Sequence, residues 1–261
     1  MVTLYEHPLS PYAQKIKIAL REKSLPFEVK TPDAIGSGQS GGEFLAANPR
    51  GEVPALIDGD VSIFDSTIIL EYIEDKWADT PMRPASPADR ARVRMIEEAC
   101  DTYYEAINWG LGELTWFRRA EGELGDAIRD KAADQTEMMQ EWLTKQLGNR
   151  EWFNGESFGW GDLSVVPYIA GSASFGLAPS ENAPLGKWFA RARARDSVSL
   201  TLKESAASAA GMETVANVVA QGLFKREYRD HRLEWMIRSG GIDVVIEGLA
   251  KDNIRFSNDF K

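Results

Sequence analysis

The pair Ser10-Pro11 constrains this chain more than any other two residues. Ahead of it, Val2-Thr3-Leu4-Tyr5 is a short apolar run that reads as a first β-strand. Serine is a favoured N-cap, and proline suits the first helical position because the N–H it lacks would be unpaired there anyway. Ile16, Ala19 and Leu20 then recur at helical spacing, while Lys15, Lys17 and Arg21 face elsewhere. A hydroxyl therefore stands at the end of a strand and on the positive end of a helix. Such a place favours a bound anion, thiolate or carboxylate. Taken alone, the pair reads first as a plain helix cap.

The chain ahead continues the pattern. Residues 25–30, Leu-Pro-Phe-Glu-Val-Lys, read as a second strand entered through a proline. Residues 36–42 form a Gly/Ser loop by composition. Asn48-Pro49-Arg50-Gly51-Glu52-Val53-Pro54-Ala55-Leu56-Ile57 is a turn running into a strand with proline at its start, where proline is tolerated. Asp58-Gly59-Asp60 is a hairpin turn leading to Val61-Ser62-Ile63-Phe64, and Asp65-Ser66 opens a helix with Ile68, Ile69, Tyr72 and Ile73. The order through Trp77 is βαβ, a β-hairpin, then α.

Those three signals in that order resemble the thioredoxin-like domain of cytosolic glutathione transferases. The segment Ser10-Pro11-Tyr12-Ala13-Gln14-Lys15 is similar to the Cys-Pro-Phe-Ala-Gln-Arg-like segment of omega-type relatives, with serine in place of their cysteine. The resemblance implies that Ser10 donates a hydrogen bond to the glutathione sulfur, as in serine-type classes, and is not a nucleophile. It implies that Pro54 is the family's cis-proline, letting the Val53 backbone pair with the cysteinyl part of glutathione. Asp65 and Ser66 would hold the γ-glutamyl end. Glu52 stands where many relatives carry Gln or Lys near the glycyl carboxylate, and an acid repels that carboxylate. Arg50 or Gln39 is expected to serve there instead. Tyr5 and Tyr12 compete for the donor role. Tyr5 reads as a core strand residue, Tyr12 as a wall of the pocket or interface, and His7 as a loop residue lining the site.

Residues 78–88 carry three prolines and read as a linker. Helical patterns follow at 91–119, 126–147, 163–176, 185–195 and 201–221. In the first of these, Tyr103, Tyr104 and Trp109 are candidates for the acceptor-substrate pocket, since the family walls that pocket with the helices after the linker. Trp160-Gly161-Asp162 resembles the family's capping box, with Gly159 where Ser or Thr is usual, so Asp162 reads as structural. The segment 225–238 carries Arg226, Arg229, Arg232 and Arg238 beside Tyr228, His231 and Trp235. Its default reading is a solvated helix face. The alternative is a flap over the active site offering cations to an acidic acceptor.

Composition bounds the rest. With 261 residues, 43% of them hydrophobic, the chain has material for one large domain or two modest ones. A formal charge of −10 argues against nucleic acid, which needs a concentrated basic surface. No apolar run has membrane-spanning length, and the first twenty residues lack a signal pattern. One cysteine, Cys100, and two histidines, His7 and His231, leave no disulfide, no multi-Cys zinc site and no three-His centre. The expectation is a cytoplasmic α/β plus all-α protein using glutathione and no metal. A thioredoxin-like domain spans 1–77, an all-helical domain 89–210 and a helical extension 211–261. The family implies a homodimer and a hydrophobic electrophilic acceptor. The reaction expected is thiolate attack on carbon, by conjugation, dehalogenation or aryl-ether cleavage. The rivals are a glutathione-dependent reductase or isomerase, disfavoured by Ser10, and a non-catalytic binding or regulatory protein of the same fold.

Overall fold

A computed structural model describes residues 1–33, 35, 41–222 and 225–256. Strand β1 (Val2–Tyr5) is followed by helix α1 (Pro11–Glu22) and strand β2 (Phe27–Lys30). Helix α2 (Gly42–Ala47), the hairpin β3 (Ala55–Asp58) and β4 (Val61–Phe64), and helix α3 (Ser66–Lys76) complete the first unit. The sheet order is β2-β1-β3-β4, with β1 parallel to β2 and antiparallel to β3. Local chemistry accounts for the boundaries. Ser10 Oγ accepts from the Ala13 amide at 3.3 Å and caps α1. Gly59 takes φ +64 in the two-residue turn between Asp58 and Val61, which pair across the hairpin. The Asp65 carboxylate accepts from the amides of Thr67 (3.0 Å) and Ile68 (3.3 Å) at the start of α3.

The second unit is helical. Ser86 caps α4 (Pro87–Ala99), which runs through a π-helical turn, Cys100–Tyr104, into α5 (Glu105–Thr115). There follow α6 (Gly122–Leu147), α7 (Trp160–Ser174), α8 (Pro184–Arg193) and α9 (Asp196–Ala209). Helix α7 is the hub, buried over most of its length. Its start is fixed by Asp162, which has no solvent exposure. Asp162 Oδ1 accepts from the Phe153 amide and the Trp188 indole, both at 2.8 Å. Oδ2 accepts from the amides of Asn154 (3.2 Å) and Gly159 (3.1 Å). The glycine at 159 is a matter of space. Its φ of −170 suits any residue, but a Cβ would lie 2.4 Å from the Met82 carbonyl and 2.3 Å from Asn154 Nδ2.

The two units share one contiguous core, and α1 is the element they hold in common. One side of α1 meets α3, and the other meets α7 and α9. Two of the three basic residues that the spacing sets apart from the apolar face, Lys15 and Lys17, do not meet water. Lys15 is fully buried between Glu97 (2.8 Å) and Asp101 (2.6 Å). Lys17, 1% exposed, pairs with Glu204 of α9 at 2.7 Å and Glu6 at 3.2 Å. Glu22 accepts two hydrogen bonds from Arg195.

Beyond α9, a 3-10 turn (Ala210–Thr214) and α10 (Val215–Ala220) lead to a compact tail. Strands β5 (Arg226–Glu227) and β6 (Ile254–Arg255) pair in parallel around α11 (Asp230–Arg238) and α12 (Ile242–Ala250). The tail docks on α5. Tyr228 and Met236 are fully buried, and the Trp235 ring lies so close to Gly110 that a Cβ there would be 2.0 Å from it. The solvated-face expectation for 225–238 is therefore corrected: Arg226, His231 and Arg232 turn inward onto buried carboxylates and Arg229 onto the half-buried Glu52, and Arg238 alone of the arginines named there stays exposed.

Candidate functional site

A cavity of about 1020 Å³ opens between the two units and reaches under the tail. Its first wall comes from the sheet unit: His7, Ser10, Tyr12, Arg50, Val53, Pro54, Asp65 and Ser66 all line it. The register Ala55↔Phe64 brings Ser66 alongside Val53, and the Val53–Pro54 bond is cis. Ser66 is buried at the N-terminus of α3, where amide N–H groups point outward. Asp65 holds φ +76, a conformation that costs a non-glycine residue about 1–3 kcal/mol and collects at functional sites.

The hydroxyls near the end of β1 differ in what they have left to give. Tyr5 is buried and donates to Glu43 at 2.5 Å, and burial with that carboxylate pushes its phenol up to about 12. Tyr12 donates to the Asp101 carbonyl at 2.7 Å, and burial raises its pKa as well. Ser10 Oγ only accepts, from the Ala13 amide, and its own proton meets no acceptor among the described residues. His7 Nδ1 accepts from the Leu9 amide at 3.3 Å, and burial lowers its pKa, so it enters the loop as a neutral acceptor.

The facing wall is built on α5, the C-terminal half of α7 and the tail. Trp109, Trp116, Phe117 and Phe175 make it aromatic, with Trp116 and Phe175 rings 5.2 Å apart. Asp101, Glu105, Asn108 and Gly112 fall at helical spacing along one side of the helix and line the cavity. Tyr104, Ile107, Leu111 and Leu114 form the opposite, buried side. This phase moves two sequence candidates away from the cavity. The Tyr104 hydroxyl shares a hydrogen bond with Ser172 Oγ at 2.8 Å and its ring stacks on Tyr168, while Tyr103 packs half-buried against the core. Trp109 does line the cavity, edge-on to Tyr228. Gln39 lies outside the described residues.

Electrostatics knit the tail to this wall. Glu105, 4% exposed, accepts from Arg232 (2.6 Å) and is 2.8 Å from His231 Nε2. Burial alone would raise its pKa, but the Arg232 charge and the two partners' hydrogen bonds outweigh burial and bring it down to about 2. Glu113, fully buried, accepts from Arg226 at 2.6 Å and the Tyr228 hydroxyl at 3.0 Å. Asp101 is raised to about 6, chiefly by burial, against the opposing pull of Lys15. None of the pairs at Glu105 or Glu113 is visible in sequence, because the partners are more than a hundred residues apart. Cys100 is fully buried off the cavity, and burial pushes its thiol well up. Among the described residues no cluster of His, Cys, Asp and Glu is arranged to hold a metal, and no helix is long and apolar enough to cross a membrane.

Known proteins share much of this sequence and fold. Residues 4–81 match the family model of the glutathione S-transferase N-terminal domain. The chain is 30% identical over 212 residues to the probable glutathione S-transferase GSTU1 of rice (Oryza sativa subsp. indica), covering 76% of this chain and 87% of that protein. It is 27% identical over 201 residues to the glutathione S-transferase GstB of Escherichia coli K12, covering 76% and 96%. Among solved structures, the Tau class glutathione S-transferase of mango aligns with TM-score 0.69 at 25% identity, over 82% of this chain and 98% of that one. Rice GST1, solved in complex with glutathione, aligns with TM-score 0.68 at 26% identity, over 83% and 97%. A mixed four-stranded sheet, a helical second unit and a cavity between them, together with these relatives, place the chain in the cytosolic glutathione transferase superfamily.

Proposed function

We propose that this protein binds glutathione along the sheet wall of the cavity and activates its thiol for attack on an electrophilic carbon of a hydrophobic acceptor. Conjugation, displacement of halide and cleavage of an aryl ether all fit that step. The observation that carries the reading is Ser10: a capping hydroxyl whose own proton meets no acceptor among the described residues, at the positive end of α1, in one cavity with Val53, Ser66 and an aromatic wall. Asp65 and Ser66 offer an acid and a helix N-terminus to the amino-acid end of the tripeptide. Val53 offers its backbone to the middle, which leaves the thiol at Ser10. A thiol of pKa about 8.5 is only a few per cent ionised at neutral pH. Bringing it down by about 2 takes roughly 2.7 kcal/mol. A hydrogen bond to a charged group contributes about 1.5–3 kcal/mol and a helix N-terminus about 0.3–1 kcal/mol, which together suffice.

The reductase rival needs a thiol at position 10 to form a mixed disulfide, and the chain's one cysteine is buried elsewhere. A homodimer and a cytoplasmic location belong to the proposal through family membership alone. The test is the ultraviolet absorbance of bound thiolate titrated across pH in wild type and Ser10→Ala. Ser10→Ala should raise the pKa of the bound thiol by about 1–2, the share of one charge-assisted hydrogen bond. A depressed pKa unchanged in Ser10→Ala moves the donor role to the α1 amides. A wild type that binds no glutathione leaves a fold reused for interaction.

A further inference from the structure

Glutathione carries two different ends, and only one of them is matched so far. Its γ-glutamyl end is a zwitterion, suited to an acid beside a helix N-terminus. Its glycyl end is a bare carboxylate and calls for a cation. If the amino-acid end lies at Ser66 beside Val53 and the thiol at Ser10, as proposed above, the glycyl end is left for the loop before β3, where the cavity is lined by Arg50 and Glu52. The chain's own carboxylate stands there. Glu52 Oε2 is 3.1 Å from Arg50 Nε, and Glu52 Oε1 is 2.7 Å from Arg229 Nη1 of the tail. Arg229 Nε is also 3.1 Å from Glu227, which Arg255 contacts at 2.5 Å.

Two features of this cluster ask for a further anion. Among the described residues, three guanidiniums, of Arg50, Arg229 and Arg255, face two half-covered or buried carboxylates, while the one other acid near Arg229, Asp230, is mostly exposed and 3.9 Å away. And the ion pairs are misaligned: among the described residues Arg229 Nε and Nη1 and Arg255 Nε are shielded from water yet make no hydrogen bond, and Glu227 Oε1, 3.1 Å from Arg229 Nε, is itself an unpaired acceptor. Buried donors without acceptors are rare, and each calls for an explanation. A planar carboxylate entering from the cavity would add the missing charge and offer Arg229 an acceptor in better line.

We infer that Arg229, delivered by the C-terminal tail, is the residue that reads the glycyl carboxylate of glutathione, with Glu52 as the stand-in acid it leaves when the tripeptide enters. This rests on the thiol site described above. It makes the tail part of the glutathione site as well as a wall of the acceptor site. It also accounts for an acid at 52: Arg229 keeps a counter-charge in the empty cavity. Burial and Glu227 push Glu52 up to about 7 against the pull of Arg229 and Arg50, so it readily takes up a proton from solvent when a second carboxylate arrives.

The experiment is calorimetric titration of wild type, Arg229→Met and Arg229→Lys with reduced glutathione and with its neutral glycyl ethyl ester, at one pH and ionic strength. Wild type should bind the free acid at least about tenfold tighter than the ester, the worth of a charge-assisted hydrogen bond. Arg229→Met should lose most of that preference while its Kd for the ester stays within about twofold. Arg229→Lys should recover part of it. Equal binding of acid and ester by wild type, or an equal loss of both in Arg229→Met, overturns the inference and leaves the thiol site standing. Should Arg229→Met fail to fold, Glu52→Gln serves: it should keep the preference for the acid and tighten it, and loss of the preference overturns the inference. Binding of neither compound by wild type refutes the thiol site itself.

Discussion

Asp162→Asn isolates what one carboxylate does for the helical unit. Asp162 carries four hydrogen bonds, two on each oxygen, and every donor is an N–H. Asparagine keeps one oxygen and replaces the other with an amide that can only donate. With Oδ1 still facing the Phe153 amide and the Trp188 indole, the new NH2 points hydrogens at the amides of Asn154 and Gly159. Flipping the side chain merely exchanges which two donors are stranded. A buried donor left without an acceptor costs about 1–3 kcal/mol, so the substitution should cost roughly 4 kcal/mol. That is a large share of the roughly 5–15 kcal/mol by which a protein of this kind exceeds its unfolded state. The assay is urea unfolding followed by tryptophan fluorescence, since Trp188 is itself one of the four partners. With a slope of about 3 kcal/mol per molar urea, the midpoint of the transition should fall by roughly 1.3 M with the slope unchanged. Asp162 does not line the cavity, so the folded fraction should keep its affinity for glutathione. A midpoint within about 0.3 M of wild type would refute the claim that these four bonds fix the start of α7.

Gly110→Ala probes the docking of the tail. Its Cβ would lie within 2.0–2.8 Å of three atoms of the Trp235 ring, so α11 must move off α5. Overpacking of this kind costs about 1–3 kcal/mol, and thermal unfolding should shift down by roughly 6 °C. An unshifted melting temperature would mean that the tail contributes nothing to the unfolding transition. Acid should release the same contact late. Glu105 is held at about 2 in the folded protein against 4.5 in its absence, so the stability it brings is present above pH 4.5 and is lost as pH falls toward 2. Trp235 fluorescence should therefore stay constant from pH 8 to about 5 and change below about pH 4.5. A transition centred near pH 6 would assign the release to another group.

The parts of the fold that could be read from the sequence are those whose cause is local. Ser10-Pro11, Asp58-Gly59-Asp60 and Asp65-Ser66 each carry their own turn or cap chemistry within four residues, and each sets a boundary where the sequence placed it. The aromatic wall of the cavity is harder to read, because the helical stretch after the linker contains the π-turn at Cys100–Tyr104. A five-residue turn shifts the phase of everything after it. Tyr103 and Tyr104 were attractive for their ring type, but the face that reaches the cavity carries Asp101, Glu105, Asn108 and Trp109. The lysines of α1 were legible as a polar side and illegible as a buried one, since Glu97, Asp101 and Glu204 lie more than eighty residues downstream. Arg226, Arg229 and Arg232 show the same defect in reverse: Glu113, Glu52 and Glu105, which they meet in turn, lie far upstream.

The buried lysines of α1 also set the terms on which this protein could be recombined with its relatives. A chimera that takes its sheet unit from another family member keeps Glu97, Asp101 and Glu204 in the helical unit but loses Lys15 and Lys17 unless the donor carries cations at both places. Stranding a buried acid such as Glu97 in that way costs about 3–5 kcal/mol, and the part-exposed Glu204 less. The crossover point that looks natural in the chain, the proline-rich segment 78–88, is therefore the wrong unit of exchange. A transferable sheet unit would have to bring with it the acids of α4 and the π-turn, or have its first helix rewritten to match the host.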